Sequence, residues 1–221
     1  MTMTRTHILA SLVLLVAACA NSPAPVPSTA GLQGEARADP AKDLSRFSKA
    51  YFASGCFWCV EGVYESVRGV EEAVSGYAGG TKENPTYEEV GTGRTGHAET
   101  VEVYYDPAVV SFATLVQVFF DSHDPTVLNG QGPDDGSQYR SIAFFQTPEE
   151  ESAIRRAIAD IEEAKTFSRP VVTEVVPFKK FWPAEEYHQN YVQQNPGAGY
   201  VRNVSMPRIE DFKAKQPELL K

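Results

Sequence analysis

Ala50-Tyr51-Phe52-Ala53-Ser54-Gly55-Cys56-Phe57-Trp58-Cys59-Val60 is the stretch that decides how this chain folds. Residues 50–53 form a short apolar run that reads as a strand, and Ser54-Gly55 breaks it. Val60, Val63, Tyr64 and Val67 then recur at helical spacing. Cys56 is therefore expected where a strand turns into a helix. There the partial positive charge of the helix end stabilises a thiolate and lowers the pKa of the first cysteine. The two-residue spacing lets the Cys59 sulfur approach Cys56, so an oxidised product at Cys56 can be resolved as a disulfide without large backbone movement.

Further along, Val101, Val103 and Tyr105 alternate with Thr100, Glu102 and Tyr104, a strand period that Asp106-Pro107 closes. A helix capped by Ser111 follows, carrying Phe112, Leu115, Val116 and Phe119. Residues 141–146 read as an apolar strand. Thr147, Pro148 and Glu150 read as a capping box that opens a helix with Ile154, Ile158 and Ile161 inward. Residues 171–176 read as another strand. The succession predicts an α+β (mixed α/β) fold, a two-layer sandwich of one mixed sheet with helices on one face, in a single domain. Residues 76–97 and 123–138 read as long irregular stretches, which in a compact domain are more often functional than idle.

The chain has 221 residues, 42% hydrophobic and 22% charged, which suits one soluble globular domain with an extension. The net charge is -9, and no basic stripe interrupts it; Lys179-Lys180 is a pair rather than a patch, so nucleic acid is a poor partner. At the N-terminus, Arg5 and His7 precede an apolar run over residues 8–18, too short to span a bilayer. Val16-Ala17-Ala18-Cys19 resembles the lipobox of bacterial lipoproteins, which implies cleavage before Cys19 and lipid attachment to it. An ordinary signal peptide cut near the Ala-rich stretch, or an uncleaved anchor, are the alternatives. Residues 19–46 are poor in large apolar side chains and read as a flexible linker. The expected domains are a signal segment at 1–18, the linker at 19–46, a catalytic domain at 47–207 and a C-terminal tail at 208–221. The destination is export, as a membrane-anchored lipoprotein of the periplasm or cell surface, with the outer membrane favoured.

Taken alone, C-x-x-C is shared by redox pairs, half zinc sites and coincidences. Zinc is disfavoured because there is no second pair and the chain holds only four His, one of them in the signal segment. No metal or bound cofactor is expected. A thioredoxin-like oxidoreductase shares the motif, but its central dipeptide is usually small or contains Pro, whereas Phe57-Trp58 suits an apolar wall for a substrate.

Several motifs together resemble the peptide methionine sulfoxide reductases of type A, which act on the S epimer of the sulfoxide. They are Gly55-Cys56-Phe57-Trp58, Gly76-Tyr77-Ala78-Gly79-Gly80, Thr95-Gly96-His97-Ala98-Glu99, the run from Asp134 to Ser141 and the run from Phe181 to Gln189. The likeness spans about residues 47–207. It implies that Cys56 attacks the sulfoxide sulfur, that Phe57 and Trp58 hold the substrate methyl, and that Glu99 protonates the oxygen. It further implies that Tyr87 and Tyr139 hydrogen-bond that oxygen and that Asp134 helps position the site. The chemistry is coherent beside the likeness, because a carboxyl near apolar rings has the raised pKa a general acid needs, and two phenols can donate to an oxygen gaining charge. His97 and His188 read as structural hydrogen bonders.

The chain departs from the family pattern in two places. Many members carry resolving cysteines in a C-terminal tail, whereas nothing after Cys59 is Cys, which leaves Cys59 as the resolving thiol of the domain. Pro133 stands where the family often has Asn, which bears on loop geometry. The expectation is a monomeric repair enzyme for methionine sulfoxide, free or in proteins, recycled by an external thioredoxin-like protein or dithiol. Two other readings stay open at this point: a general disulfide oxidoreductase, and a sulfoxide- or peptide-binding module without turnover.

Overall fold

Along β1 (Ser48–Ser54) successive side chains point to opposite faces, and both faces are covered. Ala50 and Phe52 belong to the larger core, where the Phe52 ring lies 5.2 Å from Tyr64 and 5.4 Å from Phe119. Tyr51 and Ala53 belong to a smaller cluster on the reverse face with Ala78, Ala98, Ile142 and Phe144. A computed structural model describes residues 42–221 of the chain. The expected signal segment, Cys19 and most of the linker lie outside the described residues.

In chain order, β1 is followed by α1 (Phe57–Glu65), β2 (Val70–Ala78), α2 (Tyr87–Gly91), β3 (Ala98–Tyr105) and α3 (Phe112–Asp121). A small hairpin, β4 (Gly130–Gln131) and β5 (Asp134–Asp135), precedes β6 (Ser141–Phe145), α4 (Pro148–Glu163), β7 (Glu174–Pro177) and β8 (Phe181–Pro183). The chain closes with α5 (Tyr191–Gln194), a π-helical turn at Val201–Ser205 and α6 (Met206–Lys215). The main sheet runs β7-β6-β1-β3-β2-β8, antiparallel throughout except for the β6–β7 pair, so it is a mixed sheet. Helices pack on the face of the larger core. The reverse face is closed by aromatic side chains instead, with Phe178 stacked on Tyr51 at 3.6 Å between centroids.

Several local expectations need correction, among them the strand expected at 171–176, which is confined to Glu174–Pro177. Residues 76–78 are not irregular but end β2, a long strand whose alternation is disturbed by a register shift between Val70 and Glu72 and which is buried at almost every position. The stretch after it contains α2, opened by a capping box between Thr86 and Glu89. At α4 the Thr147 hydroxyl does accept from the Glu150 N–H, but the Glu150 carboxylate accepts from the Gln146 N–H at 2.6 Å, one residue before the cap, so the expected box is displaced. Residues 208–221 are not a tail: Phe212 is fully buried in the larger core, Ile209 is 4% exposed, and Leu220 bridges to Val67. An amphipathic helix that supplies core side chains cannot be shed from the domain. Phe212→Ala is accordingly expected to cost about 3–5 kcal/mol of stability, as for other large-to-small core changes, read as a lowered urea midpoint.

Candidate active site

The chain reaches Cys56 through Gly55, whose φ is +91° and where a Cβ would lie 2.6 Å from the Gln131 Cβ. Both facts require glycine there. Cys56 is the N-cap of α1, and its carbonyl accepts from the N–H groups of Cys59 and Val60 at 3.1 and 3.4 Å. The helix start also leaves the Phe57 N–H without an intrahelical acceptor. The Glu99 Oε2 of β3 accepts it at 2.9 Å. Glu99 is 3% exposed, and burial pushes its carboxyl up to about 8 against the opposing pull of the Phe57 N–H. It is thus mainly neutral, and able to donate a proton, at pH 7.

Around this pair the loops bring in the remaining side chains. Tyr87 begins α2 and is fixed through its own N–H to the Glu185 carboxylate at 2.9 Å, while Tyr139 lies in the short helical turn Ser137–Tyr139. Burial and the charge of nearby Glu99 raise both phenols, Tyr87 to about 12, so both remain proton donors. Neither hydroxyl has a hydrogen-bond partner among the described residues. Phe57 is buried against Tyr77, Tyr87 and His188, whereas Trp58 is half-buried and stacks on Tyr191 at 3.8 Å. The Trp58 indole N–H donates to His188 Nδ1 at 3.2 Å, and burial holds the His188 ring neutral, its pKa down to about 4. His97 is bonded on both nitrogens, to the Gly80 N–H and the Lys82 carbonyl.

The expected residues Cys56, Phe57, Trp58, Cys59, Tyr87, Glu99, Asp134 and Tyr139 therefore converge, from α1, α2, β3, β5 and one helical turn. Cys19 lies outside the described residues. Three participants were not expected. The Tyr200 hydroxyl donates to Asp134 and lies near enough to Cys56 to act on its thiol. Ser205 Oγ lies 3.3 Å from the Cys59 sulfur, and the Arg208 guanidinium adds positive charge beside it. None of the three carries a local sequence signal, since each comes from a segment some 140 residues downstream in contact with α1. Among the described residues, no cluster of His, Cys, Asp or Glu could hold a metal ion.

The expected lowering at Cys56 does not appear in the resting dithiol. Burial pushes the Cys56 thiol well up, and the Cys59 sulfur beside it adds to the rise. Cys59 is drawn down by the neighbouring Cys56, by Arg208 and by Ser205, which together outweigh its own burial. The helix end favours an anion, but water excluded from Cys56 counts for more.

A family model described as Peptide methionine sulfoxide reductase matches residues 48–219. The relative from Polynucleobacter asymbioticus named Peptide methionine sulfoxide reductase MsrA is 45% identical over 179 residues, covering 81% of this chain and 94% of that protein. The solved structure of methionine sulfoxide reductase A of Corynebacterium diphtheriae matches with a TM-score of 0.62 and 34% identity, over 69% of this chain and 77% of its own. Reduced Mxr1 from Saccharomyces cerevisiae matches with a TM-score of 0.64 and 32% identity, over 71% and 90%.

The geometry predicts a carboxyl titration with a midpoint near pH 8 that is missing from Glu99→Gln. Carbon-13 NMR of labelled glutamate in the two proteins tests it, and a missing signal that titrates near 4.5 would count against the buried acid.

Proposed function

Because the chain belongs to the peptide methionine sulfoxide reductase family, we propose that it reduces the S-sulfoxide of methionine, free and in proteins, with Cys56 as nucleophile and Cys59 as resolving thiol. The observation that carries the assignment of roles is Glu99, a buried and mainly neutral carboxyl bonded to the backbone N–H of the residue that follows Cys56. Cys56 hands its proton to the Cys59 thiolate as it attacks the sulfoxide sulfur, and Glu99 protonates the oxygen. Tyr87 and Tyr139 donate to that oxygen as its charge grows. Phe57 and Trp58 form the apolar wall against the methyl group, and Asp134 with Tyr200 closes the other side.

The reaction balances as sulfoxide plus thiol giving thioether plus a sulfenic acid on Cys56, the reversible first rung of thiol oxidation. Cys59 then attacks the Cys56 sulfur, water leaves, and a Cys56–Cys59 disulfide remains. A thioredoxin-like dithiol reduces it. The biological role is repair, since oxidised Met becomes polar and disturbs packing until it is reduced.

The start of the chain supports export as part of the same reading. A short apolar run ending in small residues before Cys19 suits a lipoprotein signal, and the poorly apolar linker suits a tether to the membrane. Labelled palmitate should enter the full chain expressed in bacteria and be lost in Cys19→Ala, with sulfoxide reduction unchanged; labelling that persists in the variant would remove the anchor.

Turnover of each sulfoxide epimer with excess dithiothreitol tests the chemistry. Cys56→Ser should abolish reduction of the S epimer. Cys59→Ser should still form one methionine per molecule but lose recycling by thioredoxin, and Glu99→Gln should slow the first turnover by about 10²–10⁴-fold. Since the acid form of Glu99 is the working form, the rate should fall as pH rises through about 8. A folded, reduced protein that turns over neither epimer would sink the proposal in favour of disulfide exchange.

A further inference from the structure

The two cysteines face different spaces. Cys59 lines a cavity of about 860 Å³ whose walls include Phe120, Phe167, Val204 and Arg208. Cys56, Glu99 and the aromatic residues assigned to the sulfoxide do not line it, and Tyr200 and Asp134, which do, form the partition between the two spaces. Thr166 and Asn203 stand exposed at the rim, whereas Cys59 is 1% exposed. A volume of this size falls within the roughly 300–1,000 Å³ typical of small-molecule sites. A small thiol has room to enter it and reach the Cys59 sulfur.

The charges of the walls point the same way. Asp124 is paired with Arg169 at 3.2 Å and Asp211 with Lys215 at 2.6 Å, while Asp121 accepts from Gln216 and Asp134 from Tyr200. Arg208 is different. Its guanidinium donates to the Ser122 carbonyl at 2.7 Å and to the carbonyl and hydroxyl of Ser54 at 2.9 and 3.0 Å, and it has no ion pair among the described residues. The positive charge left unpaired is therefore the one beside Cys59, where it attracts an incoming thiolate.

We propose that this cavity is the entry for a small-molecule thiol, which attacks Cys59 from the side away from the sulfoxide, with Arg208 as the positioning residue. The inference rests on the Cys56–Cys59 disulfide of the proposed function. The thiolate forms a bond to the Cys59 sulfur, the Cys56–Cys59 bond breaks, and its electron pair stays on Cys56, which takes up a proton. A second thiol then attacks the small molecule's own sulfur and releases Cys59 as a thiolate. Two thiols are oxidised to one disulfide, and the enzyme dithiol is restored. In this second step the lower thiol pKa of Cys59 makes it a good leaving group, whereas in the first step it is access from the cavity, not leaving-group ability, that selects Cys59.

The test uses protein oxidised by one equivalent of sulfoxide, with glutathione and 2-mercaptoethanol as the small thiols and thioredoxin as a separate arm. Asn203→Trp and Thr166→Trp narrow the mouth from two different elements. Each should form one methionine and lose two thiols in the first turnover, yet show kcat/KM for the small thiols lowered by about tenfold or more. Arg208→Gln should show a similar loss and a raised Cys59 pKa in alkylation, with Arg208→Lys restoring both. Glutathione trapped by acid quenching should map by fragment-ion sequencing to Cys59. An adduct on Cys56, unchanged small-thiol rates in both tryptophan variants, or a loss confined to the thioredoxin arm would overturn the cavity as the entry. Absence of disulfide after the first turnover would instead count against the underlying reading.

Discussion

The hydrogen bond from the Phe57 N–H to the Glu99 carboxyl joins the first turn of α1 to the middle of the sheet, and the rest of the site is arranged around it. Each partner solves a problem for the other. The helix start has N–H groups that no earlier carbonyl can satisfy, and a carboxyl that is 3% exposed needs a donor. Because β3 is paired with β1 on one side and β2 on the other, Glu99 is carried on a strand with little freedom to move. A flexible loop could supply the same functional group, but not the same burial, and it is burial that leaves the carboxyl protonated near neutrality.

The same economy of water governs the two sulfurs. Cys56 and Cys59 lie within one turn of one helix, yet their thiols are pushed in opposite directions because their surroundings differ. Cys56 faces aromatic rings and a neutral acid, whereas Cys59 faces a guanidinium and a hydroxyl. The C-terminal segment, from Tyr200 to Arg208, supplies that difference. It reaches the helix start from the far end of the chain, and it is held there by Phe212 in the core and by Arg208 bonded to Ser54. Structural anchoring and electrostatic tuning are thus properties of one short stretch.

How much of this could be read from the chain alone follows from the range of the forces involved. The strand-to-helix junction at Ser54–Cys56, the strand at β3 and the Ser111 cap are read from local patterns, and they appear as expected. β2 escaped because a strand covered on both faces loses its alternation, and the register shift near Val70 removes what remains. The expected side chains within the described residues come together in the fold, and all but Cys59 and Tyr87 lie in the quoted motifs. The motifs did not reveal Tyr200, Ser205 or Arg208, whose roles exist only through contacts across about 140 residues of chain. Nor could they show that Cys56 is deprived of water, since the extent of burial is a property of the packed fold.

The spacing of the two cysteines also bears on how oxidation and folding are linked. A cross-link restrains the unfolded chain in proportion to the logarithm of the loop it closes. On that basis a bond between positions 56 and 59 removes about 2 kcal/mol of chain entropy, against about 5 kcal/mol for a bond from Cys56 to a residue near the C-terminus. A disulfide that spans most of a domain would make the oxidised enzyme distinctly harder to unfold than the reduced one, and each catalytic cycle would tighten and loosen the whole molecule. Here the redox cycle is confined to a closure of three peptide bonds, so oxidation restrains the unfolded chain less than half as much as a domain-spanning bond would. Damage repair under oxidising stress then ties the enzyme's own survival less closely to how quickly it is recharged.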